Sequence, residues 1–94
     1  MNGYVYVLTN KHNKVLYIGV TGDLKQRLAE HAKGGSWFTT KYKTDKLVYA
    51  EFYENIEDAI TREKKLKRYT RKQKLDVICK TNELWEDLAE TIPK

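Results

Sequence analysis

Tyr4-Val5-Tyr6-Val7-Leu8-Thr9, then Asn10-Lys11-His12-Asn13-Lys14, then Val15-Leu16-Tyr17-Ile18-Gly19-Val20-Thr21 is the stretch that decides the fold. Two runs of β-branched and aromatic residues flank five residues with no apolar side chain, which reads as a β-hairpin with a four- or five-residue loop. Apolar residues stand on both faces of each strand. One face is therefore expected to pack on helices and the other to hold tyrosines in a cleft. A third strand is expected over Leu47 to Tyr53, after a polar loop at 34–46.

Helix signals fill the remainder. Asp23-Leu24-Lys25-Gln26 has the spacing of a capping box, and the helix it opens should run to about Lys33, where Gly34-Gly35 can adopt the left-handed conformation that ends it. Leu24, Leu28 and Ala32 form its apolar stripe, with Arg27 and His31 one above the other at the stripe's edge. Asn55 begins a second helix with Ile56, Ala59, Ile60 and Leu66 inward, and with Glu57 and Asp58 near its positive end. Glu63 falls in the middle of that stripe, where periodicity asks for an apolar residue. Thr70-Arg71-Lys72-Gln73 repeats the capping-box spacing, so the second helix stops near Tyr69 and a third carries Leu75 and Ile78 inward. Asn82 reads as the N-cap of a short last helix anchored by Leu84, Trp85 and Leu88. The class is α+β.

At 94 residues, positions 1–94 are expected to form a single domain with one modest core. Hydrophobic residues at 40% argue against disorder, although 33% are charged. The lone Cys79 rules out an internal disulfide, has no partners at zinc spacing, and reads as a small buried filler. No signal-peptide pattern and no run of roughly 20 apolar residues is present, so a cytoplasmic location without a membrane partner is expected. The net charge is +5 and unevenly spread: residues 62–74 hold eight Lys or Arg against Glu63 alone. Such a block points to a polyanion, with Lys64, Lys65, Lys67, Arg68, Arg71 and Lys72 as candidate nucleic-acid contacts.

Tyr4-Val5-Tyr6 and Tyr17-Ile18-Gly19, followed in order by Arg27, His31, Glu63 and Asn82, resemble the core of the GIY-YIG nucleases. The resemblance covers nearly the whole chain. It is closest to small stand-alone members whose ends resemble Arg62-Glu63-Lys64-Lys65-Leu66-Lys67 and Asn82-Glu83-Leu84-Trp85-Glu86-Asp87-Leu88. It implies a small three-stranded antiparallel β-sheet flanked by α-helices and an endonuclease that hydrolyses DNA to 5′-phosphate and 3′-hydroxyl ends, in repair or recombination. The implied catalytic set is Tyr6, Tyr17, Arg27, His31 and Glu63. Glu63 would hold one Mg²⁺ or Mn²⁺ ion, and Asn82 would hold a phosphate oxygen or orient Glu63. Tyr4 stands where the family name has glycine, and Val20 where some relatives carry a lysine that activates the tyrosine.

These residue types suit that chemistry. A tyrosine of pKa about 10 is roughly 0.1% ionised at neutral pH, so as a base it needs a nearby cation or an acidified water. Arg27 can neutralise charge growing on a phosphate, and His31 is the alternative base or activator. Blander roles stay open. Glu63 could be an ion-pair partner of Arg27 or Lys67, the basic block a solvated face, Asn82 only a cap, and His12 a solvated loop residue. Trp37 and Phe38 could stack on bases or cover the sheet edge. The rival to the enzyme is a non-catalytic nucleic-acid-binding module using the same basic cleft, and a third reading is a protein-interaction domain. RNA is not excluded as substrate. So small a chain has little surface to read bases, so a homodimer or a protein partner could supply specificity.

Overall fold

The computed structural model describes residues 1–33, 41 and 43–91. The hairpin is present, with β1 at Gly3–Thr9 and β2 at Leu16–Thr21. Pairing begins at Thr9↔Leu16, so Val15 belongs to the loop. The third strand, β3, spans Lys46–Tyr53 and pairs antiparallel with β1, giving the order β2-β1-β3. Three helices follow the expected caps: α1 at Leu24–Ala32, α2 at Ile56–Lys67 and α3 at Arg71–Thr81. Thr70 and Gln73 complete their capping box, whereas Asp23 caps Gln26 N while its own N–H goes to Thr21 Oγ1. Gly34-Gly35, Trp37, Phe38 and Pro93 lie outside the described residues.

The sheet is two-sided. Val5, Val7, Ile18 and Val48 pack against Ala59 and Leu66 of α2 and Ile78 of α3, whereas Tyr6, Leu8 and Leu47 pack against Leu24 of α1. A bulge on β3, opposite Val7 and Leu8, gives the strand one extra residue. Beyond it Tyr49, Glu51 and Tyr53 pair with Val7, Val5 and Gly3 and so turn to the α2 face, leaving Ala50 and Phe52 on the α1 face.

Several inward assignments are corrected. In α1 the inner position of the last turn belongs to His31, 8% exposed, and Ala32 faces solvent. In α2 Ile60 is exposed, and the stripe runs through Ile56, Ala59, Arg62, Glu63 and Leu66. Cys79 is exposed rather than buried and accepts a hydrogen bond from Trp85 Nε1 at 3.3 Å.

The last helix is absent. Asn82 caps the end of α3 instead of opening a new helix, Trp85 takes a left-handed φ of 55°, and only Ala89–Thr91 forms a 3-10 turn. Asn82 is the reason. Its side-chain amide donates to Val48 O and Glu86 O and accepts from Glu86 N, tying the segment to the bulge rather than to a helical turn. Leu84 is 78% exposed and anchors nothing, while Leu88 and Trp85 are half-buried against the two cores. Leu88 N donates to Leu47 O, and Asp87 Oδ1 accepts from Leu47 N, so the segment straps the outer edge of β3. Among the described residues no helix is long and apolar enough to cross a membrane.

Candidate active site

Tyr6 and Gly19 are cross-strand partners at the centre of the hairpin. The Tyr6 ring crosses over Gly19 toward the β2 edge, so close that a Cβ there would lie 2.5 Å from the hydroxyl and 2.6 Å from Cζ. Any side chain at position 19 would evict the ring, which gives a steric reason for glycine in Tyr17-Ile18-Gly19. Tyr6 is fully buried, and its hydroxyl shares a 3.1 Å hydrogen bond with His31 Nε2. Tyr17 completes the cluster, with ring centroids 6.3 Å from Tyr6 and 5.4 Å, edge-on, from His31.

Helix α1 positions the rest. Arg27 and His31 are one helical turn apart and both face β1 and β2. Arg27 remains 41% exposed at its side chain and pairs with Glu30 at 3.2 Å. Its guanidinium is felt by both buried partners. Burial pushes the Tyr6 phenol up to about 12, with Tyr17 adding to the rise and Arg27 opposing it. Burial, then Arg27, holds His31 below the ordinary histidine value, against a smaller contrary pull from Glu30. At neutral pH Tyr6 is thus a neutral phenol suited to holding and orienting, and His31 a neutral imidazole able to accept a proton.

The depressed His31 value predicts how stability varies with pH. The unfolded imidazole binds a proton more readily than the folded one, so unfolding takes up protons as the solution is acidified. This contribution is full above about pH 6.5 and is lost as pH falls through the folded value. Urea unfolding of wild type minus His31→Gln between pH 7.5 and 5 should show it as a declining difference. A flat difference would mean that His31 is not held neutral by the fold.

Glu63 stands on α2, which packs on the opposite side of the sheet from the Tyr6 cluster. Ala59 and Leu66 mark the line of α2 that faces the core, and Arg62 and Glu63, about 100° apart around the helix, flank it on opposite sides. Arg62 takes the β3 flank. Its Nε donates to Glu51 Oε1 at 3.1 Å, its Nη1 to the Tyr69 hydroxyl at 3.4 Å, and its guanidinium lies 5.9 Å from the Tyr69 ring centroid. The hydroxyls of Tyr49 and Tyr53 donate to the same Glu51 carboxylate. Burial and Glu51 raise both phenols to about 12. With Arg62 clamped toward β3, Glu63 occupies the other flank of α2. Its side chain is only 14% exposed, and its described ion-pair partner is Lys67, at 3.2 Å on the same helix.

The fold thus gathers Tyr6, Tyr17, Arg27 and His31 into one cluster and carries Glu63 on the opposite face with Lys67. Asn82 is buried and committed to Val48 and Glu86. Lys64, Lys65, Lys67 and Arg68 are exposed, and three of them, Lys64, Lys67 and Arg68, line an open groove of 450 Å³ with Thr61. Arg71 donates to Lys14 O at 2.7 Å, and Lys72 pairs with Asp76 at 3.2 Å. The Glu51–Arg62 network escaped sequence reasoning. Its one available signal was alternation in Tyr49-Ala50-Glu51-Phe52-Tyr53, which places the two tyrosines and the glutamate on one face.

Residues 2–76 match the family model for the GIY-YIG catalytic domain. A UPF0213 protein of Clostridium perfringens is 43% identical over 76 residues, covering 80% of this chain and 81% of that protein. A UPF0213 protein of Staphylococcus haemolyticus is 37% identical over 76 residues, covering 80% and 92%. The solution NMR structure of a UPF0213 protein from Bacillus halodurans superimposes with a TM-score of 0.61 at 27% identity, covering 100% of both chains. The family model spans most of the chain, including the Tyr6, Tyr17, Arg27 and His31 cluster, and the chain belongs to the GIY-YIG catalytic domain family, within the nuclease superfamily.

Proposed function

We propose that this chain is a divalent-metal-dependent endonuclease domain that hydrolyses DNA phosphodiester bonds to 5′-phosphate and 3′-hydroxyl ends, with RNA as the alternative substrate. One observation carries the reading: a partly exposed guanidinium converges with a buried neutral phenol, a second phenol and a neutral imidazole along the edge strand β2. Tyr6 holds His31 in register. Tyr17 or His31 takes the proton from the attacking water, and Arg27 neutralises the charge that grows on the phosphate oxygens.

Glu63 fits the implied ion as a lone carboxylate ligand. Among the described residues no three His, Cys, Asp or Glu side chains come together, yet hydrated Mg²⁺ accepts one carboxylate while keeping several waters. Its partner Lys67 is 54% exposed, so releasing it costs about 0.5 kcal/mol or less. A bound divalent cation would supply charge that acidifies water and offsets the phosphate. A substrate lying along the β2 edge would meet Arg27 from one face and Glu63 from the other.

The Lys67–Glu63 pair also favours a second reading, a non-catalytic nucleic-acid-binding module, because it satisfies the carboxylate without an ion. Incubating the protein with plasmid, branched DNA, single strands and RNA, each with Mg²⁺, Mn²⁺ or chelator, decides. Divalent-dependent nicking of a DNA substrate, leaving 5′-phosphates, is expected. Binding without cleavage across that panel, or cleavage that chelator does not stop, would overturn the enzyme reading.

A further inference from the structure

The fold assembles a basic site that the linear charge distribution does not reveal. A cavity of 370 Å³ opens at the hairpin tip, lined by Asn10, Lys11 and His12 from the β1–β2 loop and by Lys43 and Asp45 just before β3. The two lysines are far apart in sequence, and neither lies in the basic block of residues 62–74. Among the described residues neither ammonium has an ion pair or hydrogen bond, in contrast to Lys67 and Lys72, each held by a carboxylate.

The walls are fixed. Asn10 Oδ1 accepts from Lys14 N at 2.8 Å and Val15 N at 3.3 Å, Asn13 closes the turn onto Asn10 O with a φ of 58°, and Thr9 Oγ1 donates to Val15 O. Arg71 clamps the loop to the start of α3. On the opposite wall Lys43 takes a left-handed φ of 54°, a conformation a lysine rarely adopts. The next residue, Thr44, is fully buried with its hydroxyl unpartnered, so this turn carries both backbone strain and an unmet hydrogen bond.

We propose that this cavity binds a backbone phosphate of the nucleic-acid strand, outside the phosphodiester being cut; the inference rests on the nucleic-acid reading above. Lys11, Lys43 and His12 supply the donors, and Asp45 opposes the anion. Tyr17 sits one pair from the last rung of the hairpin, which puts the cavity on the order of 10 Å from it. Measured along a duplex axis, that span is about three base-pair steps. A strand reaching from the β2 edge over the tip would be gripped at two points, which sets the direction in which it enters the cleft.

The test is anisotropy of a fluorescein-labelled duplex in chelator across a KCl series, using the full chain. Each phosphate contact contributes about 0.9 to the salt slope and so roughly fivefold in affinity at 0.15 M salt. Lys11→Ala with Lys43→Ala removes the donors to that one phosphate and should weaken binding about fivefold and make the slope shallower by about 0.9. Asp45→Asn should tighten it severalfold. Lys25→Ala with Lys80→Ala, both exposed and elsewhere, should change it little, and urea midpoints should stay put. An unchanged slope in the tip variant, or neutral Asp45→Asn, in a protein that still binds or cuts DNA overturns the tip site alone. No duplex affinity in the wild type overturns both the site and the reading beneath it.

Discussion

Gly19→Ala is expected to destabilise the protein by about 1–3 kcal/mol and to lower activity about 100-fold or more. A methyl at position 19 would meet the Tyr6 hydroxyl at 2.5 Å and its Cζ at 2.6 Å. The ring has no easy retreat, since Tyr6 is fully buried and its hydroxyl is engaged with His31. Movement of the ring by an ångström therefore moves His31 with it, and misplacement of that size costs about 100-fold in reactions that depend on orientation. Adding Tyr6→Phe removes the nearer of the two clashing atoms, so the double variant should regain part of the stability and none of the activity. Urea unfolding and the cleavage assay measure the two effects separately. Wild-type behaviour of Gly19→Ala in both would show that Tyr6 does not organise the site.

Glu63→Gln should reduce metal-dependent cleavage by about 100- to 1,000-fold or more, the scale of losing one charged group that acts in the transition state. Stability should shift by no more than about 0.5 kcal/mol, because the pair removed is an i,i+4 contact to an exposed lysine. The neutral amide is also cheaper to keep at 14% exposure than a carboxylate. A loss of about 3 kcal/mol or more with cleavage intact would mark Glu63 as a structural partner and remove it from the chemistry. Arg62, its neighbour, behaves in the opposite way: Arg62→Ala strands Glu51 among Tyr49 and Tyr53 and should act on stability first.

Much of this was legible because local rules and the global fold agree. The β-branched runs pair as strands, and Asp23, Asn55 and Thr70 stand at the N-caps their spacing indicates, although Asn55 makes no side-chain cap. Periodicity failed where a polar residue took an inner position. His31 is buried in place of Ala32 because Tyr6 offers it a hydrogen bond, and Arg62 lies inward because Glu51 waits there. No helical template anticipates either, since each partner comes from a distant strand. Asn82 misled for a related reason: an asparagine that ends a helix by bonding across to Val48 has the same local signature as one that begins a helix. The lysines of the hairpin tip were invisible in a linear charge count, because Lys11 and Lys43 meet only once β1 and β3 are side by side.

The strap on β3 has a consequence for where this unit can be cut. The family match stops at residue 76, yet Ile78 fills the core, Asn82 occupies the bulge carbonyl, and Asp87 and Leu88 close the strand edge. A fusion that borrowed only the matched residues would carry the Tyr6, Tyr17, Arg27 and His31 cluster with an open β-edge, a template for strand exchange between copies. The unit that folds with its edge sealed is therefore longer than the matched one, because the segment through Leu88 covers Leu47.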